Sequence, residues 1–599
     1  MKISITQQAK SPVVCGGTGL YVEDADYCLD GGLYAEMLEN RNFEAKTVGG
    51  GVFSDDGSYG WQGYPDGSDI ALKVKDDRPL YSENPHYLRL TVNQAGAGIK
   101  NKAFDGIYLN AGKEYHISFY ARSYTYKGAA EVGVYQNGTR LIHKKVKIKP
   151  DGQWRRYSFR LKSKSDAARA DFCFTLAKTG VIHLDCFSMM PANAVLGVFR
   201  RDLAVTLKEM KPAFLRFPGE GELHEAGASR YLWKYSIGQT ERRKSYLPFR
   251  SANGNPVQSD FGQGPHFGQS LGIGYYEYFR FAQYLGAKPI PTVYLPVSAG
   301  VLGEAETEAI IQDAQDIAEF ACGGTDTLWG RVRAEMGHAE PFGLEYLAVS
   351  YGRGLAEKHS AVAKKTVELL RVRFAEKYPA LKMITTEDDL FLAPDAFYRK
   401  ANEFRTDVCG ESISAGAFAA VSDCKTEDGP QANSWECALA EAAYLTGSES
   451  GSLAPEFKSY APLLARLCYS KRGTGLVWFD GNSVYLTPNY YVQKLFSVHT
   501  GNVRLNAESS QNGVYVSATQ RDAFTFVKAV NACDESWEAE VEGDHDFGAL
   551  TQIICLRGEK TDCNTPSDPE KIVPEIIAPT GERTLTLPPH SFQVLVFKK

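Results

Sequence analysis

Between residues 87 and 176 the chain alternates apolar and polar positions with a period of two. YLRLTV (87–92), YHISFYARS (115–123), EVGVYQNG (131–138), WRRYSFRL (154–161) and ADFCFTL (170–176) all carry this pattern, with turn residues between them. A strand with one face buried and one wet reads this way, so residues 47–192 are predicted to form a small β-sandwich. From 193 the period changes. The helix-like stretches DLAVTLKEMK (202–211), YYEYFRFAQYLG (275–286) and AVAKKTVELLRVRFAEKY (361–378) each lead into a short apolar run: FLRF (214–217), PIPTVYL (289–295) and LKMITT (381–386). YLAVSY (346–351), ISAGAF (413–418) and GLVWFD (475–480) continue the series. Apolar strands alternating with helices indicate a parallel sheet, and this many units predict a (β/α)8-type barrel over 193–480. The period of two returns in VYVSAT (514–519), FTFVKAV (524–530) and FQVLVF (592–597), so 481–599 is predicted to be a second, C-terminal β-sandwich. Residues 1–46 open with a strand assigned to that sandwich and run on into the first barrel strand. Gly31 and Gly32 ahead of LYAEMLEN predict a loop entering a helix. The fold class is therefore α/β plus all-β, with one β-sandwich inserted ahead of the barrel and one following it.

Composition narrows the function. With 599 residues, 43% hydrophobic and 23% charged, the chain has material for several packed domains. A net charge of −6, without basic clusters interleaved with aromatics, argues against nucleic acid as a partner. The twelve cysteines show no C-x-x-C or zinc spacing, so no metal is expected, and no cofactor either. The glycines of FGQGPHFGQSLGIG (261–274) lack the strand–GxGxxG–helix setting of a nucleotide loop. The start, MKISITQQAKSPVV, has no apolar leader core, and no run of 18 apolar residues follows, so no membrane span is expected. This fits a cytoplasmic protein, or an exported one whose leader has been removed. The 12% aromatic content suits sugar-stacking surfaces and sandwich cores alike. Trp61, Tyr124, Tyr126 and Trp154 are the candidate platforms on the insert, against the plainer reading that each is a core or turn residue.

Specific segments go further. GLYVEDADYCLDGGLYAEMLENRNFE (19–44), RRDLAVTLKEMKPAFLRFPG (200–219), WKYSIGQTERR (233–243), WGRVRAEMGHAEPFGLEYL (329–347), ALAEAAYLTGSES (438–450), VYLTPNYYVQKLFSVHTGNV (484–503) and LPPHSFQVLVF (587–597) occur in that order. Together they resemble the α-L-arabinofuranosidases of glycoside hydrolase family 51, in the branch with an inserted carbohydrate-binding-module-like sandwich. The resemblance implies an arabinofuranose-containing glycan as partner, a homo-oligomer, and a retaining mechanism with two glutamates. One is the acid/base at the end of the fourth barrel strand, the other the nucleophile at the end of the seventh. It also implies that Glu23 and Arg216 bind the sugar.

The two catalytic positions are vacant. Where the family reads Glu-Ile-Gly-Asn-Glu, this chain reads Ala348, Val349, Ser350, Tyr351, Gly352, so Gly352 holds the acid/base place and Tyr351 that of a sugar-contacting asparagine. Where it reads Val-Gly-Glu-Tyr-Ala, this chain reads Ala415, Gly416, Ala417, Phe418, Ala419, so Ala417 holds the nucleophile place. Neither side chain can transfer a proton or form a glycosyl ester. The family's Asp-Glu-His-Tyr-Tyr strand is also missing, with Asp388, Asp389 and Phe391 nearest to it, so one barrel strand is expected to be missing or irregular around 386–394. Three readings follow. The chain is a non-hydrolytic descendant that binds carbohydrate or acts as a scaffold. Alternatively, it is a hydrolase with relocated carboxylates, the candidates being Glu220, Glu222 and Asp388 beside His224, Glu225, Glu387 and Asp389, which otherwise read as solvated loop charges. Or Glu345 and Glu411 serve instead, although they lie seven and six residues upstream of the vacant places, toward the opposite end of the barrel.

Overall fold

Phe214, Ile290, Tyr346, Ala348, Ile384 and Phe457 converge into one apolar cluster. They come from five parallel strands, and the cluster fills the inside of a barrel. In this computed structural model the residues described are 1–6, 18–24, 27–44, 57–219, 233–245, 269–294, 304–350, 356–386, 390–392, 414–420, 433–450, 457–467, 470, 474–579 and 583–599. The barrel strands are β1 (Gly19–Tyr21), β2 (Phe214–Phe217), β3 (Lys288–Tyr294), β4 (Tyr346–Ser350), β5 (Lys382–Thr386), β6 (Leu390–Leu392), β7 (Ser414–Ala420) and β8 (Phe457–Tyr460). The helices are α1 (Arg201–Glu209), α2 (Tyr275–Leu285), α3 (Glu304–Cys322), α4 (Leu328–Glu335), α5 (Ala356–Lys377), α6 (Trp435–Ser450) and α7 (Pro488–Val498). The strands are short and apolar because both faces are covered, by the barrel interior on one side and by helices on the other. Leu215, Phe217, Leu347, Val349 and Phe418 face the outer layer, where they join the large core shared with the helices.

Among the described residues the ring closes with seven strands. The sheet order is β5-β4-β3-β2-β1-β8-β7-β6, with a further pairing of β5 to β7 that completes the circle. β6 pairs only with the end of β7. Thr386 is opposite Ala415 and Leu390 opposite Phe418, so four steps along β5–β6 match three along β7. Three residues separate β5 from β6, whereas a parallel crossover needs a dozen or more. Among the described residues, then, no full strand stands between β5 and β7, which pair directly.

Two sequence expectations are corrected. GLVWFD is no barrel strand: Val477–Phe479 lies in a three-stranded sheet between Leu464–Arg466 and Val484–Leu486. The place of the eighth strand belongs to β8, which pairs with both β7 and β1. LYAEMLEN is not helical either. Beyond a single turn at Leu29–Leu33 it runs extended, because its amides bond elsewhere: Ala35 N–H to Val198 O at 2.8 Å and Met37 N–H to Met189 O at 3.0 Å. The helix that follows β1 around the barrel is α1, reached only after the inserted sandwich.

The insert packs a five-stranded sheet on a second sheet over a core that includes Trp61, Phe119, Phe172, Phe174 and Phe187. This settles the platform candidates. Trp61 is 4% and Tyr126 3% exposed, both in that core, whereas Tyr124 is 49% exposed. Trp154 is half-buried, edge-on to Tyr87 and 4.5 Å from the Arg122 guanidinium. At the other end of the chain Lys2–Thr6 pairs with Val503–Ser509 and with Trp537–Gly543, inside a nine-stranded sheet. Helix α6 lies between that sheet and β7. It is apolar nearly all round, and Cys437 to Ser448 are buried without interruption.

Candidate functional site

Active sites of such barrels lie at the C-terminal strand ends. Here β1 and β2 are neighbours, with Leu20 opposite Leu215 and Tyr21 opposite Arg216. Beyond them the Val22 N–H bonds to Arg216 O at 3.0 Å. Arg216 is 1% exposed, and its guanidinium lies 4.1 Å from the centre of the Tyr21 ring. A cation over an aromatic face is held by the ring quadrupole, more strongly once water is excluded. Glu23, 4% exposed, follows β1 directly. A Cβ at Gly219 would fall 2.3 Å from the Glu23 Cβ, so the chain leaving β2 passes flat against this glutamate, and only glycine permits it. The structure thus places Glu23 and Arg216, two of the three residues assigned to sugar binding, on adjoining strand ends; the third, Tyr351, lies outside the described residues.

Sequence reasoning missed the next carboxylate. Asp24 accepts the Leu29 N–H at 2.9 Å and the Gln269 Nε2–H at 2.5 Å, while Asp30 accepts from Ser270 N at 2.7 Å. Surrounding protein, then the nearby Asp30 charge, push the Asp24 carboxyl up to about 7, with Glu23 adding to the rise. Two consecutive acids at a barrel strand end were the available signal. Glu441 on α6 was also missed. It accepts the Ala420 N–H at 2.8 Å at the end of β7, and burial pushes its carboxyl up to about 8. Both acids bind their protons more tightly folded than unfolded, so the stability they allow at low pH is lost as pH rises from about 4 toward 7 and 8. The melting temperature is expected to be higher at about pH 5 than at about pH 8.5, with a smaller difference in Glu441→Gln. A rise in melting temperature over that interval would contradict this.

The remaining positions divide clearly. Glu220, Glu222, Asp388, Tyr351 and Gly352 lie outside the described residues, as do His224, Glu225, Glu387, Asp389 and Glu411. Ala417 lies within β7, paired in register with Ser459 of β8. Glu345 is exposed and forms a 2.7 Å ion pair with Lys288, the first residue of β3, at the N-terminal end of the barrel. It is on the wrong face to replace a residue at the mouth. Buried Arg243 makes a two-pronged ion pair with Glu277 of α2, both contacts at 2.8 Å, which fastens the Thr240–Arg242 turn beside the mouth. Among the described residues no cluster of three or more His, Cys, Asp or Glu could hold a metal, and no helix is long and apolar enough to cross a membrane.

A parallel barrel carrying a buried glutamate and arginine at its C-terminal mouth, flanked by two β-sandwiches, is the architecture of a glycoside hydrolase. Residues 206–408 match the family model of the α-L-arabinofuranosidase 1 domain, residues 417–591 the α-L-arabinofuranosidase C-terminal domain, and residues 35–180 a carbohydrate binding domain. An extracellular exo-α-L-arabinofuranosidase of Streptomyces chartreusis is 30% identical over 81% of this chain, which spans 59% of that enzyme's length. α-L-Arabinofuranosidase 1 of Arabidopsis thaliana is 28% identical over 96% of this chain and 87% of its own. An arabinose-bound family 51 α-L-arabinofuranosidase superposes with a TM-score of 0.87 at 25% identity, covering 100% of both chains. The chain belongs to the α-L-arabinofuranosidases of glycoside hydrolase family 51.

Proposed function

We propose that this protein is a non-hydrolytic family member that holds an arabinofuranose-containing glycan in the barrel mouth. The observation that carries the reading is an asymmetry in the mouth. Beside β1 and β2, Glu23 and Arg216 are buried and shaped by Gly219, while in the sequence Gly352 and Ala417 stand where the family resemblance puts the acid/base and the nucleophile. Glu345, paired with Lys288 at the opposite end, offers no replacement. Glu23 would accept sugar hydroxyl protons and Arg216 would donate to sugar oxygens, roles that need no bond cleavage. That the superposed homologue binds arabinose supports the ligand class. Calorimetric titration with arabinofuranose oligosaccharides is expected to show binding that Glu23→Ala weakens by about tenfold or more. Equal affinity in the variant would remove the mouth as the site.

A second reading, a hydrolase with relocated carboxylates, is favoured by one feature. Asp24 beside Glu23 holds its proton near neutrality, as a general acid must. It accepts from the Leu29 backbone N–H and the Gln269 side-chain amide, which hold its carboxylate in place. Turnover of an arabinofuranoside abolished by Asp24→Asn or Glu220→Ala would establish this second reading in place of the first.

A further inference from the structure

Away from the barrel mouth, a cavity of about 490 Å³ opens where the inserted sandwich, the start of α1 and the segment after β8 meet. Its size is within the roughly 300–1,000 Å³ usual for small-ligand sites. Its walls are fixed in place. Asn110 of the insert donates to Asn482 Oδ1 at 3.1 Å, Arg466 pairs with Asp105 at 2.5 Å and also donates to Gly31 O, and Arg200 Nη1 donates to Asp480 O at 2.5 Å. A ligand entering here would meet a formed site rather than have to order one.

The lining has an uneven charge balance. Asp105 is paired with Arg466 and Asp202 with Arg200 at 2.7 Å. Glu36 accepts the N–H groups of Leu38 and Met189 on one oxygen, at 3.1 and 2.8 Å, and burial raises its carboxyl pKa, which favours the neutral form. Two lining cations, Lys113 and Arg201, are exposed and have no carboxylate partner among the described residues. The uncommitted charge is therefore positive. The Tyr108 ring lines the same space, lying so close over Gly481 that a Cβ there would fall 2.4 Å from it. An aromatic face with asparagine amides around it suits a sugar ring. A bare inorganic anion would need only the cations.

We infer that this seam is a second carbohydrate site that takes an oligosaccharide bearing carboxylates, a uronate-containing glycan. Lys113 and Arg201 would meet the carboxylates and Tyr108 the ring face. The matched carbohydrate binding domain, residues 35–180, includes Glu36, Asp105, Tyr108 and Lys113. The inference does not depend on whether the barrel hydrolyses anything.

The test is calorimetric titration of the full chain with trigalacturonate and with neutral galactotriose, for the native protein, Lys113→Gln/Arg201→Gln and Glu23→Ala. Both cations are exposed, so the double variant should keep its fold, which its melting temperature checks. Trigalacturonate should bind the native protein and Glu23→Ala alike, about tenfold or more tightly than galactotriose. It should weaken by about tenfold or more in the double variant, and weaken with added salt as partly exposed charge pairs do. Failure of trigalacturonate to bind, equal affinity for the neutral sugar, or unchanged affinity in the double variant would each overturn the inference. Loss in Glu23→Ala alone would move the binding to the barrel mouth and overturn it too.

Discussion

Hydrolysis of a chromogenic α-L-arabinofuranoside by this chain is expected to fall about a million-fold below that of a family member with both glutamates. Retention requires two carboxyls about 5–5.5 Å apart, one to protonate the leaving oxygen and one to attack the anomeric carbon. Loss of one member of such a unit already costs on the order of 10⁶ in rate. On the proposed reading, Gly352 and Ala417 stand in those places. Among the described residues no separate sixth strand lies between β5 and β7, which pair directly. Restoring both carboxylates in Gly352→Glu/Ala417→Glu is therefore expected to leave turnover far below that of a complete family member. Substantial turnover by the native chain would show that other residues have taken over the chemistry. Its persistence in Asp24→Asn and Glu220→Ala would point to carboxylates elsewhere in the mouth.

The second large effect concerns the joint between barrel and C-terminal sandwich. Lys528 is wholly buried, and its ammonium meets Glu449 at the end of α6 at 2.5 Å. Ser517 Oγ donates to the other carboxylate oxygen at 2.5 Å. Burial alone lowers the lysine pKa, and the Glu449 charge opposes that shift. Lys528→Ala removes the countercharge and leaves a carboxylate with little access to water, a change costing about 3–5 kcal/mol. Lys528→Met with Glu449→Leu removes both charges and fills similar volume, so it should recover most of that loss. Denaturant unfolding of the three proteins would measure it. A Lys528→Ala protein as stable as the native one would mean that the pair contributes nothing to the joint.

Much of the fold is legible in the chain. FLRF coincides with β2, and YLRLTV with the strand Tyr87–Val92, because alternation and apolar runs report directly which faces are buried. YYEYFRFAQYLG gives α2 with its closing glycine, Gly286, at φ 74°, the left-handed conformation that ends a helix. The proposed vacancy at 352 and 417 likewise rests on the sequence, through the places that the family resemblance assigns to the two glutamates. GLVWFD misled because a short apolar run is equally apt for any buried strand, and only pairing partners distinguish a barrel strand from a small neighbouring sheet. LYAEMLEN misled because its helical composition was overridden by hydrogen bonds to residues about 150 positions away.

Sequence by itself indicated most of the strands and helices and the family, and it carries the proposal that the two glutamates are lost, since each rests on local pattern or residue identity. Tertiary structure alone decided three things. Among the described residues the barrel ring closes through a direct pairing of β5 with β7, Asp24 holds its proton near neutrality, and a cavity with two uncommitted cations lies at the seam. Each depends on groups distant in the chain but close in space: β5 against β7, Asp24 against Gln269 and Asp30, Lys113 in a shared lining with Arg201. Electrostatics and packing act through space, so no local stretch of residues encodes them.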